Sequence, residues 1–285
     1  MWDDVTRFLL EPLSAPYVQR ALLEIAILSV SVAIVGTYVV LRSLSFLTLA
    51  LSHAIFPGVV LAALLGWNML LTSMVVAVGI SLLIGLSSRN SRVGHASAIG
   101  TIYTGAFAAG IMLISSAGLF RRLSEFLFGR LFAVGDDDIV IAAVVTLLAL
   151  LAYGLARKEI LLVSFDRAMA QAQGLPVAFL ELGFLALLSL VVVAALPAVG
   201  NIQTVALLVT PPATARLLTD RLRVVMLLSG LISLLGGVMG VYLAWHLNLV
   251  SGAMVVLTLT IFFLLASFFS PRYGLLTRRL RPARA

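Results

Sequence analysis

Long apolar runs, separated by short polar segments, dominate the sequence. Runs of 18 to 24 residues lie at about 21–41, 45–65, 69–86, 98–116, 138–156, 178–195, 199–218, 224–247 and 253–270. Each is close to the ~20 residues that an α-helix needs to cross the hydrocarbon core of a bilayer. A backbone exposed to lipid must satisfy its own hydrogen bonds, and a helix does so. The pattern therefore predicts an all-α polytopic membrane protein with eight or nine transmembrane helices.

The predicted number of transmembrane helices, eight or nine, depends on whether the 199–218 run crosses the membrane. It contains the sequence TPPAT, with Pro211 and Pro212 side by side. Proline has no backbone N–H and its ring clashes with the carbonyl four residues earlier, so two prolines predict a helix break. We expect a discontinuous or re-entrant element there. With eight spans instead of nine, the N-terminus moves to the other side of the membrane.

The segments outside the runs define the domain organisation and the orientation. Residues 1–20 are predicted to form an amphipathic lead-in, 21–271 a single transmembrane domain, and 272–285 a basic tail. If the tail is cytoplasmic and all nine runs span, 14 of the 19 Lys and Arg residues lie on the cytoplasmic side. This distribution follows the positive-inside rule and predicts a multi-pass membrane protein, in contact with lipid, whose basic tail is cytoplasmic.

Composition narrows the class of protein further. The chain is 62% hydrophobic and 11% charged, with a mean hydropathy of +1.15, which excludes an ordinary soluble domain. Its net charge of +7 is explained by membrane topology, so we predict no nucleic-acid partner. Without cysteine, the chain has neither disulfides nor thiolate zinc sites.

The stretch LRSLSFLTLALSHAIFPG, residues 41–58, places an imidazole inside an apolar run. His53 lies eight residues past Ser45, about 12 Å into the membrane at 1.5 Å per residue. Pro57 removes the N–H that would bond the carbonyl of His53, which predicts a helix break at the same level. Polar groups at this depth usually mark a substrate path. The alternative is a neutral His53 that only packs against a neighbouring helix.

Three other polar residues, Glu24, His246 and His95, are considered as parts of a substrate path. Glu24 is also intramembrane, but about 25 Å from the inner end of its run, so it either lines the outer entrance or bonds within the bundle. His246 is predicted at the outer interface and His95 at the inner face. The chain has no GxxxxGK[ST] phosphate loop, and neither a Ser-His-Asp set, paired catalytic carboxylates nor HExxH can be assembled. We therefore predict no enzyme activity and no permanently bound cofactor.

The cytoplasmic loop after the fifth run, RKEILLVSFDRAMAQAQGLP, predicts a short helix with defined ends. Asp166 can cap the helix that starts at Arg167, and Gly174 followed by Pro176 terminates it. A small Ala-rich helix fits a groove on a cytosolic partner. The alternative is a solvated connector between spans, which does not need such definite start and stop signals.

Four segments resemble the permease subunit of bacterial zinc and manganese ABC transporters, and this family resides in the bacterial plasma membrane. They are LRSLSFLTLALSHAIFPG, LVSFDRAMAQAQGLP of the inner loop, VGNIQTVALLVTPPATARLL and SGAMVVLTLTIFFLLASFFSP. The resemblance covers nearly all of residues 20–271. It implies a homodimeric all-helical permease that works with cytosolic ATPase subunits and an extracytoplasmic metal-binding protein. It also implies that the segment from Phe165 to Pro176, with Asp166, Arg167, Gly174 and Leu175, is the coupling helix that sits in the ATPase.

The sequence departs from this family in its central motif and, before the fourth span, at Gly94-His95, where the family often has a pair of acidic residues. The family motif Gly-Asp-Ala-Leu-Ser-His corresponds to residues 48–53, so Leu49 stands where the family has Asp. Only His53 carries over as a metal ligand. A neutral imidazole favours zinc, whereas oxygen ligands favour manganese, so the expected cargo is Zn(II).

The resulting hypothesis is an ATP-driven zinc importer in which the ion passes His53 through a dimer-lined cavity by alternating access. Three alternatives remain at this stage. The cargo can be manganese or iron; the protein can be a secondary carrier without an ATPase; or it can be a non-transporting structural or sensory subunit.

Overall fold

The computed structural model describes residues 10–89, 94–117 and 131–270. Within these ranges the regular structure is helical, without β-strands. The helices are α1 Pro16–Leu41, α2 Ser45–Ala54, α3 Phe56–Leu65, α4 Met69–Ser87, α5 His95–Ala117, α6 Asp136–Phe165, α7 Arg167–Ala172, α8 Val177–Ala194, α9 Leu196–Val199, α10 Asn201–Leu218, α11 Leu222–Leu247 and α12 Ser251–Phe269. Short 3-10 turns occupy Pro12–Ser14 and Leu131–Ala133, and α1 contains a π-helical turn at Val32–Gly36. The all-helical prediction is confirmed.

Contacts between helix ends divide the bundle into two faces. At one face Arg20, near the start of α1, pairs with Asp136, the first residue of α6, at 3.0 Å. At the other face Arg89, just after α4, donates to the carbonyl of Ala178 at the start of α8, at 2.9 Å. The second face also carries Arg42 and Arg167, and we call it the inner face because basic residues concentrate on the cytoplasmic side.

Eight segments of the described chain are long and apolar enough to cross a membrane, and α10 is not among them. Its ends nevertheless lie beside the ends of the crossing helix α12. Gly252, at the start of α12, packs against Val199 and Gln203, while the hydroxyl of Ser270 donates to the carbonyl of Leu217. With 18 residues, α10 is about 27 Å long. It therefore crosses the bundle as a ninth helix, and Pro16 and Phe269 lie on opposite faces.

Two predicted boundaries are corrected by the structure. The first membrane helix begins at Pro16, within the predicted lead-in, because proline is well tolerated in the first turn of a helix. Helix α10 is continuous through Pro211 and Pro212, so the break predicted at these prolines is wrong. Residues 1–9 of the lead-in and the tail from 272 to 285 lie outside the described residues.

Helix α1 packs closely against α10 at the second proline. Pro212 deprives the carbonyl of Leu208 of its usual N–H donor, four residues further along the helix. Helix α1 approaches this carbonyl so closely at Gly36 that an added Cβ would overlap the Leu208 oxygen. The carbonyl freed by Pro212 therefore faces the backbone of α1 and not lipid, where an unpaired polar group is most costly. The sequence pattern alone does not contain this contact.

The discontinuity lies instead at the connection before α10. Helix α8 ends at Ala194, the single turn of α9 follows, and Gly200 adopts a φ of +79° between α9 and α10. Residues 191–201 are all buried. A connection between two crossing helices normally lies at the surface, because its backbone polar groups need partners. This buried connection is therefore the discontinuous element of the 199–218 region, at Gly200 and not at the prolines.

Candidate functional site

The membrane-crossing segment that carries His53 consists of two helices with a break between them. Helix α2 ends at Ala54 and α3 begins at Phe56, which places Pro57 in the first turn of α3. Helix α5 approaches this junction closely, because a Cβ added to Gly110 would lie 2.9 Å from the backbone nitrogen of Pro57. The ring of Phe107, also on α5, lies 5.8 Å from the imidazole of His53. The junction thus packs directly against α5.

The polar partner of His53 is Asn201, the first residue of α10. Asn201 Nδ2 lies 3.1 Å from His53 Nδ1. Asn201 is fully buried, and its Oδ1 atom has no hydrogen-bond partner among the described residues. The turn at Gly200 brings Asn201 to this position, since a φ of +79° is favourable only for glycine. The buried connection therefore delivers an amide to the imidazole.

The pair leaves a different atom free in each of its two possible amide orientations. In the arrangement observed, Nδ2–H donates to Nδ1, which places the imidazole proton on Nε2. Rotation of the amide by 180° reverses the sense: Nδ1–H then donates to Oδ1, and Nε2 offers its lone pair outward. Metal-binding histidines commonly donate their second ring N–H to an oxygen in this way. Asn201 was not singled out from the sequence, although an amide inside an apolar run was a usable signal.

Helix α2, which carries His53, has one face exposed at the surface of the bundle. Phe46 and Leu49, on the same side of α2, are 48% and 40% exposed. Leu49 occupies the position one turn before His53 where the family motif has Asp. The hydroxyls of Thr48 and Ser52 are buried and donate to carbonyls of their own helix. His53, four residues after Leu49 on the same helix, is half-buried at this open face.

The remaining predicted site residues lie elsewhere. Glu24 is fully buried in α1, whereas the hydrogen bond of His53 goes to Asn201. His246 lines a cavity of about 510 Å³ at the outer face together with Glu11, Tyr17 and Trp245. The described residues contain no group of three or more His, Cys, Asp or Glu side chains able to hold a metal. Any metal site at His53 thus uses few protein ligands.

The predicted inner helix is present at Arg167–Ala172. The carboxylate of Asp166 accepts from the backbone N–H of Met169 at 2.8 Å, and Gly174 adopts a φ of +75°. The N–H of Leu175 bonds to the carbonyl of Ala170 at 3.1 Å, which closes a Schellman motif. Pro176 follows directly and precedes α8. The caps predicted from the sequence therefore correspond to observed hydrogen bonds.

This helix presents an apolar surface toward the inner side. Phe165 and Met169 are exposed, while Ala170 packs under them against Val163 and Val177. Large exposed apolar side chains on a short capped helix are typical of a surface that a partner covers. Whether the partner is an ATPase is a matter of function rather than of this geometry.

Comparison with known proteins gives consistent results. Residues 14–270 match the model of the ABC 3 transport family. The chain is 40% identical over 284 residues to the manganese transport system membrane protein MntC of Halalkalibacterium halodurans, covering 99% of this chain and 97% of that protein. It is 31% identical to the chelated iron transport system membrane protein YfeD of Yersinia pestis, with 95% and 92% covered. The structure of PsaBC from Streptococcus pneumoniae in complex with Fab superimposes with a TM-score of 0.84 at 33% identity, covering 97% and 98% of the two chains.

Proposed function

The chain belongs to the ABC 3 transport family, and from that premise we propose that it carries a divalent transition metal into the cell, with Mn(II) as the first candidate cargo. The observation that carries the proposal is the pairing of His53 with the buried Asn201 beside an open face of the bundle. Intramembrane polar pairs of this kind mark ion paths. The names of the relatives, which specify manganese and iron transport, support the choice of metal.

Zn(II) is a second candidate, for one specific reason. Leu49 removes the carboxylate that hard ions such as Mn(II) prefer, while His53 retains a nitrogen donor suited to zinc. The relatives considered above carry manganese or iron in their names, so the zinc expectation finds no support there. The two cargoes are separated by experiment below.

A second copy of the chain completes the path in this proposal. The open face at Phe46 and Leu49 continues onto α5, since the rings of Phe46 and Tyr103 are 6.5 Å apart. Helix α5 exposes Thr101 and Thr104 on its surface. A hydroxyl-bearing helix surface is better suited to another helix or to water than to lipid. Two such faces opposite each other would enclose a cavity with two His53–Asn201 pairs.

Cytosolic ATPase subunits and an extracytoplasmic metal-binding protein supply the remaining functions. The exposed side chains of Phe165, the last residue of α6, and Met169 of α7 form the proposed ATPase contact. The metal-binding protein releases its ion at the outer face. ATP binding and hydrolysis then change the access of the cavity from outward to inward, and the ion leaves past the inner ends of the helices.

The test is uptake into proteoliposomes that contain the chain, its cognate ATPase and the metal-binding protein. We expect ATP-dependent uptake of Mn(II) that is lost in His53→Ala and retained in His95→Ala, a matched substitution of an exposed histidine at the inner face. Uptake of Zn(II) in preference to Mn(II) would establish the second candidate. Uptake without ATP would indicate a secondary carrier, and an assembled, ATP-hydrolysing complex that transports neither metal would refute the proposal.

Leu49→Asp tests the location of the ion path separately. Residues four apart on a helix have Cβ atoms about 5–6 Å apart, so the introduced carboxylate and His53 could bind one cation. We expect tighter Mn(II) binding, with Kd lower by about tenfold, measured by competition in detergent. Phe46→Asp is the matched control, because it adds the same charge to the same face about two turns from His53. Equal effects of the two substitutions would contradict a site at His53.

A further inference from the structure

Glu181 holds the inner helix α7 against the end of α1. It lies in the second turn of α8, and its carboxylate contacts two arginines from different elements. Oε2 lies 3.1 Å from the guanidinium of Arg167, the first residue of α7, and Oε1 lies 3.8 Å from that of Arg42, just after α1. One carboxylate therefore joins three elements at the inner face.

The Arg42 end of this network is built into the bundle. The side chains of Arg42 and Glu181 are 16% and 18% exposed, whereas that of Arg167 is 56% exposed. The Arg42 guanidinium also lies 5.2 Å from the ring centre of Phe184, one turn beyond Glu181. Burial lowers the pKa of Arg42, and the carboxylate of Glu181 opposes this shift. A partly buried cation held by a carboxylate and an aromatic face has a fixed position.

Packing continues from Arg42 toward the His53 level. Tyr38, one turn before Arg42, is buried and packs edge-on against Phe184 at 6.1 Å. Half a turn earlier, Gly36 abuts α10 at the Leu208 carbonyl. The other end of α10 carries Asn201, which contacts His53. A continuous series of contacts thus links α7 to the imidazole through α1 and α10.

The polypeptide chain itself connects α7 only to its neighbours in sequence, α6 and α8. The ion pairs add a link between Arg167 and the end of α1, which lies far earlier in the chain. We propose that Glu181 is a positioning residue for transport: through Arg167 and Arg42 it transmits displacement of α7 to α1, and so couples ATP hydrolysis to the opening of the metal path. This inference rests on the proposed function, because it requires an ATPase at α7.

The experiment measures metal ions transported per ATP hydrolysed in the reconstituted complex. Glu181→Gln keeps the shape of the side chain and removes its charge, and Arg167→Met removes the exposed partner while leaving the buried one. For each variant that assembles with the ATPase we expect at least about a fivefold decrease in ions transported per ATP hydrolysed, within the usual range of coupling between sites. The double variant should decrease no further than either single variant, because both remove the same link.

Glu159→Gln is the matched control, since Glu159 is a half-buried carboxylate near the inner end of α6 with no ion pair among the described residues. We expect it to leave the coupling ratio unchanged. An unchanged ratio in Arg167→Met would overturn the inference, even if Glu181→Gln fails to assemble. A loss of thermal stability with an unchanged ratio would identify the ion pairs as structural only. Failure of the wild type to transport any metal would instead refute the proposed function.

Discussion

Replacing Asn201 with Ala separates the role of this residue in metal binding from its role in the fold. The substitution removes the hydrogen bond to His53, which costs about 1 kcal/mol, and leaves a small cavity that costs about 1 kcal/mol more. It also removes the buried Oδ1 atom that lacks a partner among the described residues, which relieves about 1–3 kcal/mol. These contributions nearly cancel, so the free energy of unfolding should change by no more than about 1 kcal/mol.

Metal binding should respond much more strongly than stability. Without the amide, the imidazole of His53 loses the partner that fixes its tautomer and its ring orientation. Loss of such a partner typically lowers metal affinity by about 10–100-fold. We therefore expect Asn201→Ala to fold and assemble normally, and to bind and transport the cargo metal weakly.

The assay combines thermal unfolding in detergent with a competition measurement of Mn(II) affinity. Gln203→Ala is the matched control, because it removes a second amide of α10 whose Oε1 is buried and lacks a partner in the described part of the chain. This control should keep the affinity for Mn(II). Wild-type affinity in Asn201→Ala would refute the view that Asn201 orients His53, whereas a large loss of stability in this variant would refute the cancellation of energies.

Two further predictions concern packing and the inner helix. Gly240→Ala places a Cβ onto the backbone of Val255, so α11 and α12 must separate. We expect this substitution to destabilise the protein by about 1–3 kcal/mol in thermal unfolding. The control is Gly154→Ala, whose added Cβ meets no atom within 4 Å and should be neutral or slightly stabilising. Asp166→Ala removes the cap on the N–H of Met169, which costs about 1 kcal/mol, so hydrogen exchange should accelerate across α7. Asp166→Asn should restore slow exchange, and equal exchange in both variants would contradict a capping role.

Local signals in the sequence were sufficient for the class of structure and for most of the helices. The apolar runs predicted eight or nine crossing segments with approximate bounds, because a chain in lipid must bond its backbone within each helix. Asp166 and Gly174 fixed the ends of α7, because caps act over a few neighbouring residues. His53 could be recognised as a candidate for the ion path because an imidazole inside an apolar run is uncommon.

Tertiary packing decided the features that depend on distant residues. Helix α10 is continuous through Pro211 and Pro212, and α1 packs against it there at Gly36. The pairing of His53 with Asn201 joins positions 148 residues apart, through a buried turn at Gly200.

The same applies to Glu181, whose two arginine partners come from different elements. A hydrogen bond or an ion pair forms only within about 3–4 Å, so it depends on how helices are placed against one another. The sequence by itself determined which segments are helices. Only their packing determined which polar groups meet inside the membrane.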